Sequence, residues 1–125
     1  MQKKRPKYLN LLQIRQPLPA VVSILHRVSG ALLFFPGLPA LLYGLDTALG
    51  SPHGYARLQP LLQSPFCKVA LILSLWFFLH HFCAGIRHLA LDLHLGIELQ
   101  QARWSSKLVI AAGIILTVLF GIWIW

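Results

Sequence analysis

Three stretches of the chain run for 18 residues without a charge: Val28 to Leu45, Val69 to Ile86 and Leu108 to Trp125. At 1.5 Å per residue each covers about 27 Å as a helix. With interfacial flanks, each can cross a hydrocarbon core of about 30 Å. Lipid offers backbone groups no hydrogen-bond partner, so a span of this kind is helical. Strand-like alternation punctuated by hairpin signals is missing, which argues against a β-barrel. The pattern predicts one all-α integral membrane domain over residues 1–125, with three transmembrane helices at about 22–49, 66–94 and 106–125.

Pro36 and Pro39 fall inside the first span and should kink it. Gly50-Ser51-Pro52-His53-Gly54 reads as a turn-rich connection between the first two spans. Repeats and low-complexity segments are absent.

Composition supports the membrane reading. Apolar residues make up 57% of the chain and charged residues 11%, against about 25% charged in ordinary soluble domains. The net charge of +8 raises nucleic acid as a partner. Most of that charge flanks apolar runs, which points to membrane orientation, and no nucleic-acid partner is expected. Lys3, Lys4, Arg5, Lys7 and Arg15 precede the first span, and Arg87, Arg103 and Lys107 flank the second connection. The first connection holds Arg57, with Lys68 at its edge. This asymmetry predicts a cytoplasmic N-terminus and an external C-terminus, where Trp123 and Trp125 form an interfacial anchor. No small-residue cleavage site follows the first apolar run, so a cleaved signal peptide is not expected. Cys67 and Cys83 lie outside any CxxC or CxxCH motif, and they read as small apolar helix residues.

Function in a membrane protein shows in the polar residues kept at membrane depth. The first such cluster is Ser23-Ile24-Leu25-His26-Arg27-Val28-Ser29-Gly30. At about 100° per residue, Arg27 falls about 40° and Gly30 about 20° from Ser23, with His26 on the flank. A hydroxyl, a fixed cation and the gap left by glycine suit a ligand with carbonyl oxygens. The competing reading has Arg27 snorkelling to the interface and Ser23 capping the helix.

The second cluster holds His81, Gly85, His88 and Asp92, spaced four, three and four apart. Each of the last three lies within about 40° of His81 on a helix, whereas His80 points about 100° away. A deep histidine is a natural axial haem ligand, and Gly85 would let a flat macrocycle approach the backbone. The competing reading is a hydrogen bond from His81 to a neighbouring helix. If the first two helices pack together, His26, Arg27 and His88 are available to anionic haem propionates. Asp92 reads either as an ion-pair partner of Arg87 or Arg103, or as part of a proton path.

These residues carry a resemblance. Ser23 to Gly30 reads SILHRVSG, residues 81–92 contain HxxxGxRHLxxD, and Arg5-Pro6 is followed by Asn10-Leu11-Leu12-Gln13-Ile14-Arg15. Over essentially its whole length, the chain resembles the cytochrome b membrane-anchor subunit of bacterial succinate dehydrogenase. The resemblance implies a four-subunit complex in the bacterial inner membrane, in which a flavoprotein oxidises succinate and an iron–sulfur subunit relays electrons. It implies a second small anchor subunit that shares one haem b and supplies its other axial ligand. Ubiquinone is then the electron acceptor, linking the tricarboxylic acid cycle to the respiratory chain.

Carried onto this chain, Ser23 and Arg27 match the quinone site, His81 the axial ligand, and His26, Arg27 and His88 the propionate surroundings. His80, beside His81, leaves the ligand ambiguous on sequence, although the register of Gly85, Arg87 and His88 favours His81. His94 and Glu98 read as part of a cytoplasmic loop against the soluble subunits. Two other classes stand beside this reading. One is a purely structural, haem-free anchor. The other is a small transporter, which lacks support because the chain has neither an inverted repeat nor a broken-helix pair.

Overall fold

The computed structural model describes residues 14–125. The N-terminal cations Lys3, Lys4, Arg5 and Lys7, and most of the Arg5–Arg15 motif, lie outside the described residues. Among the described residues every regular element is helical: α1 (Leu18–Leu32), a π-helical turn (Leu33–Gly37), α2 (Leu38–Gly50), α3 (Pro52–Gln63), α4 (Pro65–Asp92) and α5 (Leu99–Ile124). Three continuous rods are long and apolar enough to cross a membrane: Leu18–Gly50, Pro65–Asp92 and Leu99–Ile124.

Local chemistry sets the ends of these helices. Pro17 is extended, and Pro19 occupies the first turn of α1, where no intrahelical N–H is needed. Pro36 has no N–H to donate, and its ring would collide with the carbonyl four residues back. The chain answers with the π turn, which widens the helix by one residue. Gly37 fits there because a Cβ would stand 3.2 Å from the Leu32 carbonyl oxygen. The predicted kink is therefore a π turn within a helix that continues.

The connection after the first span departs from the turn-rich reading, for it is mostly the twelve-residue helix α3. Ser51 accepts the Gly54 N–H at 3.0 Å, and Pro52 takes the first helical position. Ser64 and Pro65 repeat the device at the start of α4, with the Cys67 N–H 3.3 Å from the Ser64 hydroxyl. A Ser-Pro pair stops one helix and starts the next, so the same residues that signal a turn also signal an N-terminus. At the other end, α4 closes through the Leu95 N–H on the Ala90 carbonyl at 2.9 Å. His94 and Gly96 adopt positive φ there, at 61° and 75°. Helix α5 begins at Leu99, seven residues before the expected span, because its polar first turns are helical as well.

Helix α4 packs against both α1 and α5. The buried apolar core is small: Val22, Leu79, Ala84 and Val109. Buried beside it are polar residues, namely Ser29, His80, Arg87, Ser106 and Thr117. Large apolar side chains point outward, as with Phe34, Phe35, Phe66 and Trp123. Water would penalise this distribution, whereas lipid favours it. The α5 face toward α4 is a row of small residues, Ser106, Val109, Gly113, Thr117 and Gly121. They let the backbones approach until a Cβ on Gly113 would lie 3.6 Å from the His80 Cα. At the end of the bundle holding the C-terminus, Lys68 Nζ donates to the Trp125 carbonyl at 2.9 Å and lies 5.4 Å from the centre of its ring.

The α4–α5 seam yields a graded expectation. Gly113→Ala introduces only ordinary van der Waals contacts, at 3.6–3.8 Å, and should leave stability nearly unchanged. Gly113→Leu must part the helices, at a cost of about 1–3 kcal/mol. Thermal unfolding of the purified complex in detergent checks the difference.

Candidate functional site

The seam between α1 and α4 gathers most of the polar residues singled out from sequence. His81 projects from α4 onto Gly30 of α1. The fit is close, since a Cβ at position 30 would come within 2.8 Å of His81 Cε1. The His81 ring stacks on His26, with centroids 4.1 Å apart and planes 9° from parallel. Its Nδ1 lies 3.0 Å from the His26 carbonyl oxygen and 3.2 Å from Ser29 Oγ. The Ser29 hydroxyl donates to the same carbonyl at 2.9 Å. Two turns along α4 from His81, His88 tilts against His26 with centroids 4.9 Å apart. Gly85 lies between His81 and His88, where a Cβ would stand 3.6 Å from His26 Nε2. The glycine spacing therefore makes room, within this chain, for the imidazoles of the opposite helix.

His80 and His81 have opposite surroundings. His80 turns into the three-helix core, is 1% exposed, and stacks on Trp76 at 5.4 Å. Both of its ring nitrogens are sealed and without a hydrogen-bond partner among the described residues. His81 is only partly buried, and no described residue bonds its Nε2. An iron outside the bundle can be reached from His81 and not from His80. Among the described residues no three His, Cys, Asp or Glu side chains converge as a metal site. A metal at His81 would therefore draw its further ligands from outside the described residues. A half-buried imidazole with one nitrogen anchored and the other unbonded fits an axial haem ligand.

Ser23 and Arg27 lie one turn apart on α1, Ser23 partly buried and Arg27 exposed. The guanidinium thus stands at the outer surface of the chain, close in sequence to the imidazole cluster and open to whatever packs there. Asp92 is exposed at the last position of α4. Arg87 does not turn toward it. Its guanidinium is 7% exposed in the α4–α5 seam, where Nε donates to Ser105 Oγ at 3.0 Å and an NH2 group to the Ala102 carbonyl at 3.4 Å. A mainly apolar cleft of about 230 Å³ opens beside it, lined by Cys83, Arg87, Ser105 and Val109 among others. This cleft is on the opposite side of α4 from the imidazoles. His94 and Glu98 are exposed in the α4–α5 connection.

Sequence reasoning missed two features of these seams. Ser29 is the fully buried hydroxyl of the imidazole cluster, and its only sequence signal was its place inside SILHRVSG. Arg87 read as a flanking cation, and nothing local pointed to Ser105, 18 residues further on. Removing that acceptor leaves a donor of a buried cation unpaired. Ser105→Ala should therefore destabilise the complex by about 1.5–3 kcal/mol, read as a lower unfolding temperature with electron transfer preserved at low temperature.

A family model described as succinate dehydrogenase/fumarate reductase transmembrane subunit matches residues 1–120. The succinate dehydrogenase cytochrome b556 subunit of Coxiella burnetii is 39% identical, and the alignment covers 100% of both chains. The cytochrome b556 subunit of Paracoccus denitrificans is 35% identical over 92% of this chain and 88% of its own. The mitochondrial cytochrome b560 subunit of Dictyostelium discoideum is 31% identical over 93% of this chain and 60% of its own.

Proposed function

The chain belongs to the succinate dehydrogenase/fumarate reductase transmembrane-subunit family, and from that premise we propose that it is the cytochrome b anchor of a succinate dehydrogenase, sharing haem b with a second anchor subunit and forming part of the ubiquinone site. It is a multi-pass inner-membrane subunit of that enzyme, whose soluble partners are a flavoprotein and an iron–sulfur protein. The observation that carries the haem assignment is the contrast, among the described residues, between His81, anchored at Nδ1 and unbonded at Nε2, and His80, sealed in the core.

The N-terminus and the α4–α5 connection lie on the cytoplasmic side, and α3 on the outer side. Arg87, Arg103 and Lys107 near the second connection, against Arg57 and Lys68 near the first, support this orientation. Electrons reach the membrane from the iron–sulfur subunit on the cytoplasmic face, close to Arg27 near the start of the first span.

When bound between this chain and the second anchor, haem b would supply a one-electron redox centre. His81 would hold the iron through Nε2, and His26, Arg27 and His88 would serve the propionates. Ubiquinone takes up two electrons and two protons to become ubiquinol. Ser23 orients one quinone carbonyl by donating a hydrogen bond, and Arg27 stabilises negative charge as it builds on the reduced ring. Arg27 acts there as a source of positive field. Asp92, exposed at the cytoplasmic end of α4, is available to a proton path.

Ser23→Ala and Arg27→Ala should each lower ubiquinone reduction by roughly tenfold or more, while succinate oxidation with an artificial acceptor that bypasses the membrane site is retained. Equal loss of both activities would remove these residues from the quinone site. His81→Tyr should abolish or shift the b-type signal in a reduced-minus-oxidised spectrum. An unchanged signal would place the ligand elsewhere.

A further inference from the structure

An imidazole that binds a metal through one nitrogen needs its other nitrogen fixed, because that second contact sets the tautomer, the ring orientation and the donor strength. The contacts around His81 Nδ1 specify all three. The His26 carbonyl, 3.0 Å away, can only accept, so that contact is a hydrogen bond only when Nδ1 carries the proton. Ser29 has one hydroxyl proton, which goes to the same carbonyl at 2.9 Å. Toward Nδ1, at 3.2 Å, the Ser29 oxygen therefore presents lone pairs. Both neighbours select the same tautomer. In neutral imidazole with the proton on Nδ1, the ligating lone pair is on Nε2.

Packing holds the ring in that pose. Ser29 is 1% exposed, so water does not compete for the network. His26 covers one face of the ring at 4.1 Å. Gly30 provides a bare backbone seat, which a Cβ 2.8 Å from Cε1 would close. None of these restraints acts on His80, whose two ring nitrogens have no hydrogen-bond partner among the described residues.

We propose that Ser29 is a positioning residue for the haem ligand: its hydroxyl, together with the His26 carbonyl, holds the proton on His81 Nδ1 and presents Nε2 to the iron. This rests on the reading of His81 as the axial ligand. An acceptor on the distal N–H makes an imidazole a stronger donor and favours the ferric state. Ser29 thereby lowers the haem potential, without touching haem or quinone itself.

The test is a redox titration of the b-type spectrum, with EPR of the ferric haem, in purified four-subunit complex carrying Ser29→Ala. The midpoint potential should rise and the low-spin ferric signal should change, with succinate oxidation to an artificial acceptor unaltered. Ser29→Cys, which nearly conserves volume and keeps a weaker hydrogen-bonding group, should move both in the same direction by less. Loss of haem from an otherwise assembled complex would support the assignment as well. A parent-like potential and EPR signal in both variants would overturn it, and so would failure of both to assemble, which would make Ser29 a packing residue. A parallel His81→Tyr sample separates the two levels: if it keeps the b-type signal, the ligand assignment itself falls.

Discussion

Polar side chains buried in a narrow helical bundle must find their partners inside it, because lipid supplies none. This constraint organises α4. On the side toward α1, the His81 ring meets the His26 carbonyl and the Ser29 hydroxyl. On the side toward α5, Arg87 meets Ser105 and the Ala102 carbonyl. Two polar seams flank one helix, and each fixes the rotation of α4 against a neighbour. Thr117 and Ser106 obey the same constraint more locally by returning their hydroxyl protons to carbonyls one turn back on α5.

Small residues make these seams possible. Gly30 gives His81 its seat, Gly85 stands opposite His26, and Gly113 backs onto His80. Each removes a side chain where an imidazole or the helix carrying it must come close. The resulting core is dense in heterocycles and hydroxyls and poor in leucine. Large aliphatic and aromatic side chains cover the outside of the described bundle, a distribution suited to lipid.

His80 is the exception to polar pairing among the described residues. Its burial against Trp76 and Gly113 makes it part of the packed core. Two adjacent histidines thus have different fates. A single-residue step of about 100° separates a ring that faces the α1 seam from one enclosed by all three helices.

Much of this was legible in the chain. The three apolar windows dictated three helical spans, since uninterrupted hydrophobicity of that length leaves the backbone no other way to satisfy itself. The four-three spacing placed His81, Gly85 and His88 on one stripe, because helical geometry is local. Helix α3 was less visible, since Ser-Pro pairs signal turns and helix starts alike. Only the tertiary structure decided what each stripe faces: that Gly30 receives His81, that Ser29 completes its hydrogen bonds, and that Arg87 turns to Ser105 and away from Asp92. Those contacts join residues 18 to 55 positions apart. Periodicity orients a side chain about its own helix, but the partner across the seam depends on how helices dock, which no local pattern records.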